Sequence, residues 1–132
     1  DVTEAGFAKT AFGLRDWARD LCVGEFAMPE STVTTGLPQL SPREAHLKGA
    51  RSIVIGVANT GGVLKPSWIP SLVAALEAGL DVVSGMHGRL ASSPELKNAA
   101  ERLGRRLSDV RQPPARLPVG TGRKRAGRRL LT

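Results

Sequence analysis

Apolar residues recur at the three- to four-residue spacing of an amphipathic helix in two long segments of the chain. The first segment runs from Glu4 to Trp17 with Thr3 as its cap, and its apolar positions are Phe7, Ala11, Leu14 and Ala18. The second segment ends at Gly79, and its apolar positions are Ile69, Leu72, Val73 and Leu76. The pattern therefore predicts one helix in each segment.

Capping signals predict two more helices. Ser41-Pro42-Arg43-Glu44 has the spacing of a capping box with proline at the first helical position, and this short helix should stop at Gly49. Ser93-Pro94-Glu95 begins another helix, which should run to about Leu103.

Short apolar runs rich in β-branched residues lie between the helical segments and are typical of buried strands. Between the first two strands, residues 28–40 contain prolines and many Ser and Thr, which favour a loop. The sequence thus predicts four strands, namely Leu21–Phe26, Ser52–Ala58, Leu80–Ser84 and Leu107–Val110.

Helices and strands alternate with connections too long for hairpins, so the strands should be parallel with helices on both faces. Right-handed crossovers then predict an α/β, Rossmann-like three-layer fold with a mostly parallel sheet. The chain begins with a helix, lacks an initiator Met, and ends near Leu130 on what reads as a new strand. We expect the sheet to be incomplete at both ends in this chain.

Three loops follow the predicted strands directly, and ligands of open parallel sheets bind at this carboxyl edge. The loops are Gly56–Gly62, Ser84–Arg89 and Asp109–Pro113. Because the carboxyl ends of parallel strands share one edge, we expect the loops to converge.

The first loop spells G-x-x-x-x-G but lacks the Lys and the hydroxyl residue that a Walker A motif needs after the last glycine. It therefore cannot hold a triphosphate and Mg²⁺ in the usual way. Its candidate ligand-binding residues are Asn59, Thr60, Gly61 and Gly62. The alternative is a simple turn between strand and helix.

The second and third loops carry the titratable candidates. His87 lies between Gly85 and Gly88, and as a loop histidine it is a candidate catalytic base. Arg89 and Arg111 are candidates for binding a substrate carboxylate with paired hydrogen bonds. The alternative for His87 is a local bond to the backbone. No spacing predicts a metal site, a catalytic triad or a carboxylate pair.

Charge is concentrated at the carboxyl-terminal end of the chain. Residues 1–101 hold nine basic and eleven acidic side chains, whereas residues 102–132 hold ten basic and one acidic. The candidates for binding a phosphate-bearing cofactor are Gly120, Thr121, Gly122, Arg123 and Lys124. One alternative is a disordered basic linker, and another is nucleic-acid binding. Against nucleic-acid binding, an aromatic content of 4% without Tyr makes a surface for base stacking improbable.

At 132 residues the chain is long enough for one domain. It has no apolar run long enough to cross a bilayer and no apolar leader. Cys22 is the only cysteine, which excludes an intramolecular disulfide. We expect a cytoplasmic protein without a membrane partner.

Several phrases in combination resemble one known family. They are DVTEAGFAKTAFGL, IVIGVANTGGVLKPSW, ALEAGLDVVSGMHGRL, DVRQPP and PVGTGRKRAGRRLLT. Together they resemble the amino-terminal Rossmann-like domain of a prokaryotic two-domain family, in which a P-loop domain follows directly. The resemblance covers essentially the whole chain. It implies a Rossmann-like domain over residues 1–119 and a basic connector over residues 120–132 that leads into the P-loop domain.

Some members of that family are D-glutamate N-acetyltransferases. The resemblance therefore implies an N-acetyltransferase domain that uses acetyl-CoA as co-substrate and a small amino acid, D-glutamate, as acceptor. It also implies a possible nucleotide at the P-loop domain, which would be the intramolecular partner, and we expect a homo-oligomer that does not bind nucleic acid. The alternative is a non-catalytic regulatory or assembly domain of a P-loop nucleotide-binding protein.

Overall fold

Three parallel strands form the sheet in the computed structural model, which describes residues 1–112 and residue 116. The strands are β1 (Ser52–Val54), β2 (Asp81–Ser84) and β3 (Leu107–Asp109), in the order β1-β2-β3. Ile53 is in register with Val82, and Val82 with Leu107. The predicted α/β, Rossmann-like fold with a parallel sheet is confirmed for the described residues.

Four α-helices accompany the sheet. They are α1 (Lys9–Trp17), α2 (Pro42–Leu47), α3 (Ile69–Glu77) and α4 (Pro94–Leu103). Short 3₁₀ turns lie between them at Ala5–Ala8, Arg19–Leu21, Thr60–Gly62, Pro66–Trp68 and Leu90–Ser92.

The predicted capping signals form as expected. Ser41 and Glu44 make both hydrogen bonds of a capping box at the start of α2. The Ser93 hydroxyl accepts from the Leu96 amide at the start of α4, and α4 ends at Gly104, whose φ of 62° is left-handed. Local side-chain chemistry therefore sets these helix ends.

The main core lies between the sheet and the helices α3 and α4. Leu76, Val82 and Leu96 are all at most 1% exposed there. Val82 and its register partners Ile53 and Leu107 share this face of the sheet.

Helix α1 packs against the opposite face. Successive strand residues point to opposite faces, and a Cβ on Gly56 would lie only 2.6 Å from the Cβ of Ala11. Glycine therefore allows α1 to approach the carboxyl end of β1, and helices lie on both faces as predicted.

The strand predicted at Leu21–Phe26 is wrong. Residues 19–21 form a 3₁₀ turn, and Glu25 makes only an isolated parallel bridge to Gln39. The apolar run is present, but none of the described strands pairs with it, and an extended segment becomes a strand only through a neighbour.

The bounds of two other predicted elements also differ. The first helix begins as the 3₁₀ turn Ala5–Ala8, and no side chain, including that of Thr3, caps it. Strand β1 ends at Val54 rather than Ala58, because the Gly56 carbonyl accepts from the Ala11 amide and the Ala58 amide donates to the Phe7 carbonyl. The end of the predicted strand pairs with the α1 region instead of the sheet.

Candidate functional site

The three loops that follow β1, β2 and β3 meet at the carboxyl edge of the sheet and enclose a cavity of about 330 Å³. This volume lies at the small end of the range for ligand sites. The lining residues are Thr10, Ile55, Val57, Ala58, Asn59, Gly61, Gly62, Gly85, Met86, His87 and Arg111.

A hydrogen bond between Arg111 and His87 crosses the cavity. Arg111 Nη1 lies 2.9 Å from His87 Nε2 and 3.4 Å from His87 Nδ1. A guanidinium has donors only, so Arg111 donates and the ring nitrogen accepts with its lone pair. A single shared contact therefore holds a candidate base and a candidate carboxylate ligand together.

Gly62 fixes the position of His87 through the backbone. Its carbonyl accepts from the amides of His87 at 2.9 Å and Gly88 at 3.0 Å. Gly62 has a φ of 58°, and a Cβ at this position would lie 2.5 Å from the Cδ2 of His87. Both the backbone conformation and the close approach of the imidazole therefore require glycine.

Asn59 shapes the loop after β1. Its Nδ2 donates to the Val63 carbonyl at 2.8 Å, which fixes the orientation of the amide. Its Oδ1 is buried and has no hydrogen-bond partner among the described residues.

Two polar side chains hold the loop after β2. The Asp109 carboxylate accepts from the Leu90 amide, at 3.1 Å for Oδ1 and 3.3 Å for Oδ2. The Ser84 hydroxyl accepts from the Met86 amide at 3.1 Å. These bonds fix both ends of the segment that presents His87. The sequence identified Asp109 only as an acid at a strand end, because the bond to Leu90 joins residues 19 positions apart.

The structure brings together five of the seven predicted residues that it describes in this region. Asn59, Gly61, Gly62, His87 and Arg111 all line the cavity. Thr60 and Arg89 are exposed and are not among its lining residues. The predicted cofactor-binding residues Gly120, Thr121, Gly122, Arg123 and Lys124 lie outside the described residues, as does the connector over residues 120–132.

Thr10 is a cavity residue that the sequence pattern missed. Helical periodicity favours a solvent-facing Lys9-Thr10 pair, but the bond from the Ala11 amide to the Gly56 carbonyl, 3.1 Å long, brings the start of α1 to the cavity. The only sequence signal is the small Gly56 opposite the small Ala11, which is too weak to use alone.

The electrostatics of the cavity favour an anion. Among the described residues that line it, Arg111 is charged and none is acidic. No group of three or more His, Cys, Asp and Glu side chains in residues 1–112 or at residue 116 is arranged to hold a metal ion. Within the same residues no helix is long and apolar enough to cross a membrane.

Comparisons with known proteins agree with the fold and with the resemblance read from the sequence motifs. Residues 24–113 match a domain of unknown function, DUF1611_N, described as a Rossmann-like domain. Two curated relatives named D-glutamate N-acetyltransferase are similar to the chain. The protein of Pseudoalteromonas sp. is 42% identical over 132 residues, which is 100% of this chain and 40% of the relative. The protein of Tritonibacter scottomollicae is 44% identical over 131 residues, which is 99% of this chain and 39% of the relative.

One solved structure is also similar. A crystal structure of a DUF1611 family protein from Anabaena variabilis, at 2.30 Å resolution, has a TM-score of 0.60 and 31% identity to this chain. The match covers 88% of this chain and 36% of that one. The chain thus spans about two fifths of the length of the curated relatives it matches.

Proposed function

Because the chain belongs to the DUF1611_N family of Rossmann-like domains, we propose that it forms the acceptor-binding part of an N-acetyltransferase. The acetyl group would come from acetyl-CoA, and the acceptor would be a small amino acid, D-glutamate. The names of the two curated relatives support this reaction. The observation that carries the proposal is the His87–Arg111 pair inside a cavity whose described lining residues include no acidic side chain.

The reaction needs a neutral amine and an acceptor for its proton. The amino nitrogen attacks the thioester carbonyl carbon, an N–C bond forms, the C–S bond breaks, and CoA leaves as a thiolate that takes up a proton. The protein must hold the acceptor carboxylate, receive the ammonium proton and position the amine.

Arg111 and His87 divide these tasks in our proposal. The Arg111 guanidinium binds a carboxylate of the acceptor through paired hydrogen bonds. Because Arg111 donates to His87 Nε2 in the free protein, a carboxylate that draws Arg111 away frees that lone pair to take the amine proton. Binding of the correct acceptor would thereby release the base.

The remaining predicted residues take supporting roles. Asn59, Gly61 and Gly62 shape the acceptor side of the cavity, and Thr60 and Arg89 act from outside its lining. The segment Gly120, Thr121, Gly122, Arg123 and Lys124 binds the phosphates of acetyl-CoA. A P-loop domain, which binds a nucleotide, completes the site in the whole protein, and we propose that the protein is cytoplasmic and homo-oligomeric.

An acetylation assay of the full-length protein tests this function. With acetyl-CoA present, D-glutamate should cause release of free CoA and formation of N-acetyl-D-glutamate, and ATP hydrolysis should not be required. No product from D-glutamate or other small amino acids, together with nucleotide hydrolysis, would contradict the proposal.

A second candidate function is a non-catalytic assembly domain of a P-loop nucleotide-binding protein. Two exposed apolar side chains four residues apart favour it, since Trp17 is 91% exposed and Leu21 is 80% exposed. Exposed apolar surface of this kind is common at protein interfaces. Loss of assembly in a Trp17→Ser, Leu21→Ser variant, together with no acetylation by the unsubstituted full-length protein, would support this second candidate.

A further inference from the structure

A second, larger cavity lies beside the outer edge of β1. Its volume is about 630 Å³, and its lining is mainly apolar. Residues 49–57 form one side, and residues 22–28, where the sequence predicts a strand, form another. Helix α1 contributes Ala11 and Leu14, and the 3₁₀ turn before it contributes Ala8.

The backbone of β1 has free hydrogen-bonding groups toward this cavity. The Arg51 carbonyl and the Ile55 amide bond to β2, through the Asp81 amide and the Val83 carbonyl. Backbone groups of alternate strand residues point to opposite edges, so those of Ser52 and Val54 point away from β2. Among residues 1–112 and 116, nothing hydrogen-bonds to the backbone of Ser52 or Val54 on that edge.

The first residues of the chain lie at the end of this cavity that is nearest to the carboxyl end of β1. Asp1 and Val2 are part of its lining. The Asp1 carboxylate pairs with Lys65 Nζ at 2.6 Å, and Lys65 lies in the connection that leaves the carboxyl end of β1. The Val2 carbonyl accepts from the Thr32 amide at 3.0 Å, so this position is fixed from two sides.

We propose that the outer edge of β1 holds one more parallel strand, formed by polypeptide that leads into Asp1 in the whole protein. This strand would fill the cavity between β1 and residues 22–28. An extended strand fits because it supplies both kinds of contact that the cavity offers, backbone groups for Ser52 and Val54 and alternate apolar side chains for the lining.

The positions of the helices agree with such a strand. From the added strand, the chain would pass through α1 to residues 22–28 on one side of that strand. On its other side, β1 leads through α3 to β2. Right-handed crossovers in opposite directions need helices on opposite faces, and α1 does lie on the face opposite to α3.

This arrangement also gives the candidate site its place in the fold. The added strand and β1 would form the point at which the strand order reverses, and open α/β sheets bind ligands just outside this point. Thr10 lies on the connection from the added strand through α1, and Asn59 lies on the connection from β1 to α3. Both residues line the smaller cavity. The inference itself uses no property of the acetylation reaction.

Amide hydrogen exchange in the whole protein, followed residue by residue by NMR, tests the added strand. Ile53 and Ile55 face β2 and serve as internal controls, while Ser52 and Val54 report on the outer edge. If the edge is paired in register, the four amides should exchange within about tenfold of one another. Exchange at Ser52 and Val54 more than about 100-fold faster than at the controls would overturn the proposal.

Two further measurements separate the added strand from other occupants. In a chain that starts at Asp1 the outer edge of β1 should be unpaired. Of the four amides, only those of Ser52 and Val54 should then exchange fast. Protection of Val54 that disappears on dilution of the whole protein would assign the edge to a second copy, and so overturn the proposal. Protection that needs an added apolar small molecule would overturn it as well.

Discussion

The layer between β2, α3 and α4 buries Leu76, Val82 and Leu96 almost completely, whereas the cavity at the end of the same strands exposes His87 and is walled by glycines. In the first region apolar side chains fill space, and stability follows from burial. In the second region hydrogen bonds such as Gly62 to His87 and Asp109 to Leu90 set the geometry. The packed layer is therefore a frame, and the proposed chemistry lies in the loops, so substitutions in the two regions should affect different measurements.

Replacing His87 by Asn should have the largest effect on activity. If His87 is the base, kcat of the full-length protein should fall about 10²- to 10⁴-fold, while the melting temperature stays nearly constant because the side chain is exposed. Steady-state kinetics and thermal melting check both parts. His46→Asn, in α2 and away from the cavity, is the matched control and should keep its kcat. An unchanged kcat in His87→Asn would show that His87 is not the base.

Replacing Leu96 by Ala should show the opposite behaviour. Leu96 is 0% exposed in the core, so its truncation should lower the free energy of unfolding by about 2–5 kcal/mol. Urea denaturation measures this loss. Leu47→Ala is the control, because Leu47 is 77% exposed and should change stability by less than about 0.5 kcal/mol. A Leu96→Ala protein that is as stable as the Leu47→Ala protein would contradict the division between frame and loops.

Two neighbouring glycines allow a sharper test of the loop. Gly61 has a φ of 81° with open space around it, whereas a Cβ on Gly62 would press on the His87 ring. Ala at either position should cost about 1–2 kcal/mol through left-handed backbone strain. Only Gly62→Ala should also displace the imidazole and reduce kcat, by roughly 10- to 100-fold. Equal kcat values for the two variants would show that the position of His87 does not matter for turnover.

The smallest expected effect concerns the loop over residues 34–39, which polar bonds hold in place. Burial raises the pKa of Glu25, but hydrogen bonds from Thr34, Thr35 and Gln39 together outweigh it and leave the pKa below its ordinary value. Because the folded-state pKa is lowered, the stabilisation is present above the ordinary value of about 4.3 and is lost as the pH falls below it.

The Glu25 contribution should be on the order of 1 kcal/mol, since solvent screens a partly exposed carboxylate. Glu25→Gln should therefore lower the melting temperature at pH 7 and have little effect near pH 3. Melting curves at both pH values measure the difference. An equal loss at both values would mean that the charge of Glu25 does not hold the loop.

The packed layer was also the part that the sequence predicted best. Helix α3 follows from apolar spacing and from Gly79 near its end, and helix α4 from Ser93 as a cap, and all of these signals are local. The strand predicted at residues 21–26 failed because pairing depends on a neighbour that the local sequence does not specify.

The candidate site was predictable in part for the same reason. Parallel strands place their carboxyl ends on one edge, and this rule alone indicated that the loops of Asn59, His87 and Arg111 would meet. It could not distinguish Arg111, which contacts His87 and lines the cavity, from Arg89, which is not among the lining residues, because side-chain direction depends on the fold of each loop. Nor could it find Thr10, whose place at the cavity depends on the backbone bond from the Ala11 amide to the Gly56 carbonyl in the loop after β1.

In the proposed site His87 and Arg111 receive the acceptor together, and the His87 imidazole signals in NMR spectra of the full-length protein report on this contact. Titration with D-glutamate should shift these signals saturably, because the carboxylate draws Arg111 away from Nε2, and should leave His46 unchanged. In Arg111→Lys the fork is lost, and the apparent Kd should rise roughly 10- to 100-fold. His87 signals that stay unmoved at concentrations of D-glutamate that saturate acetylation would contradict the account.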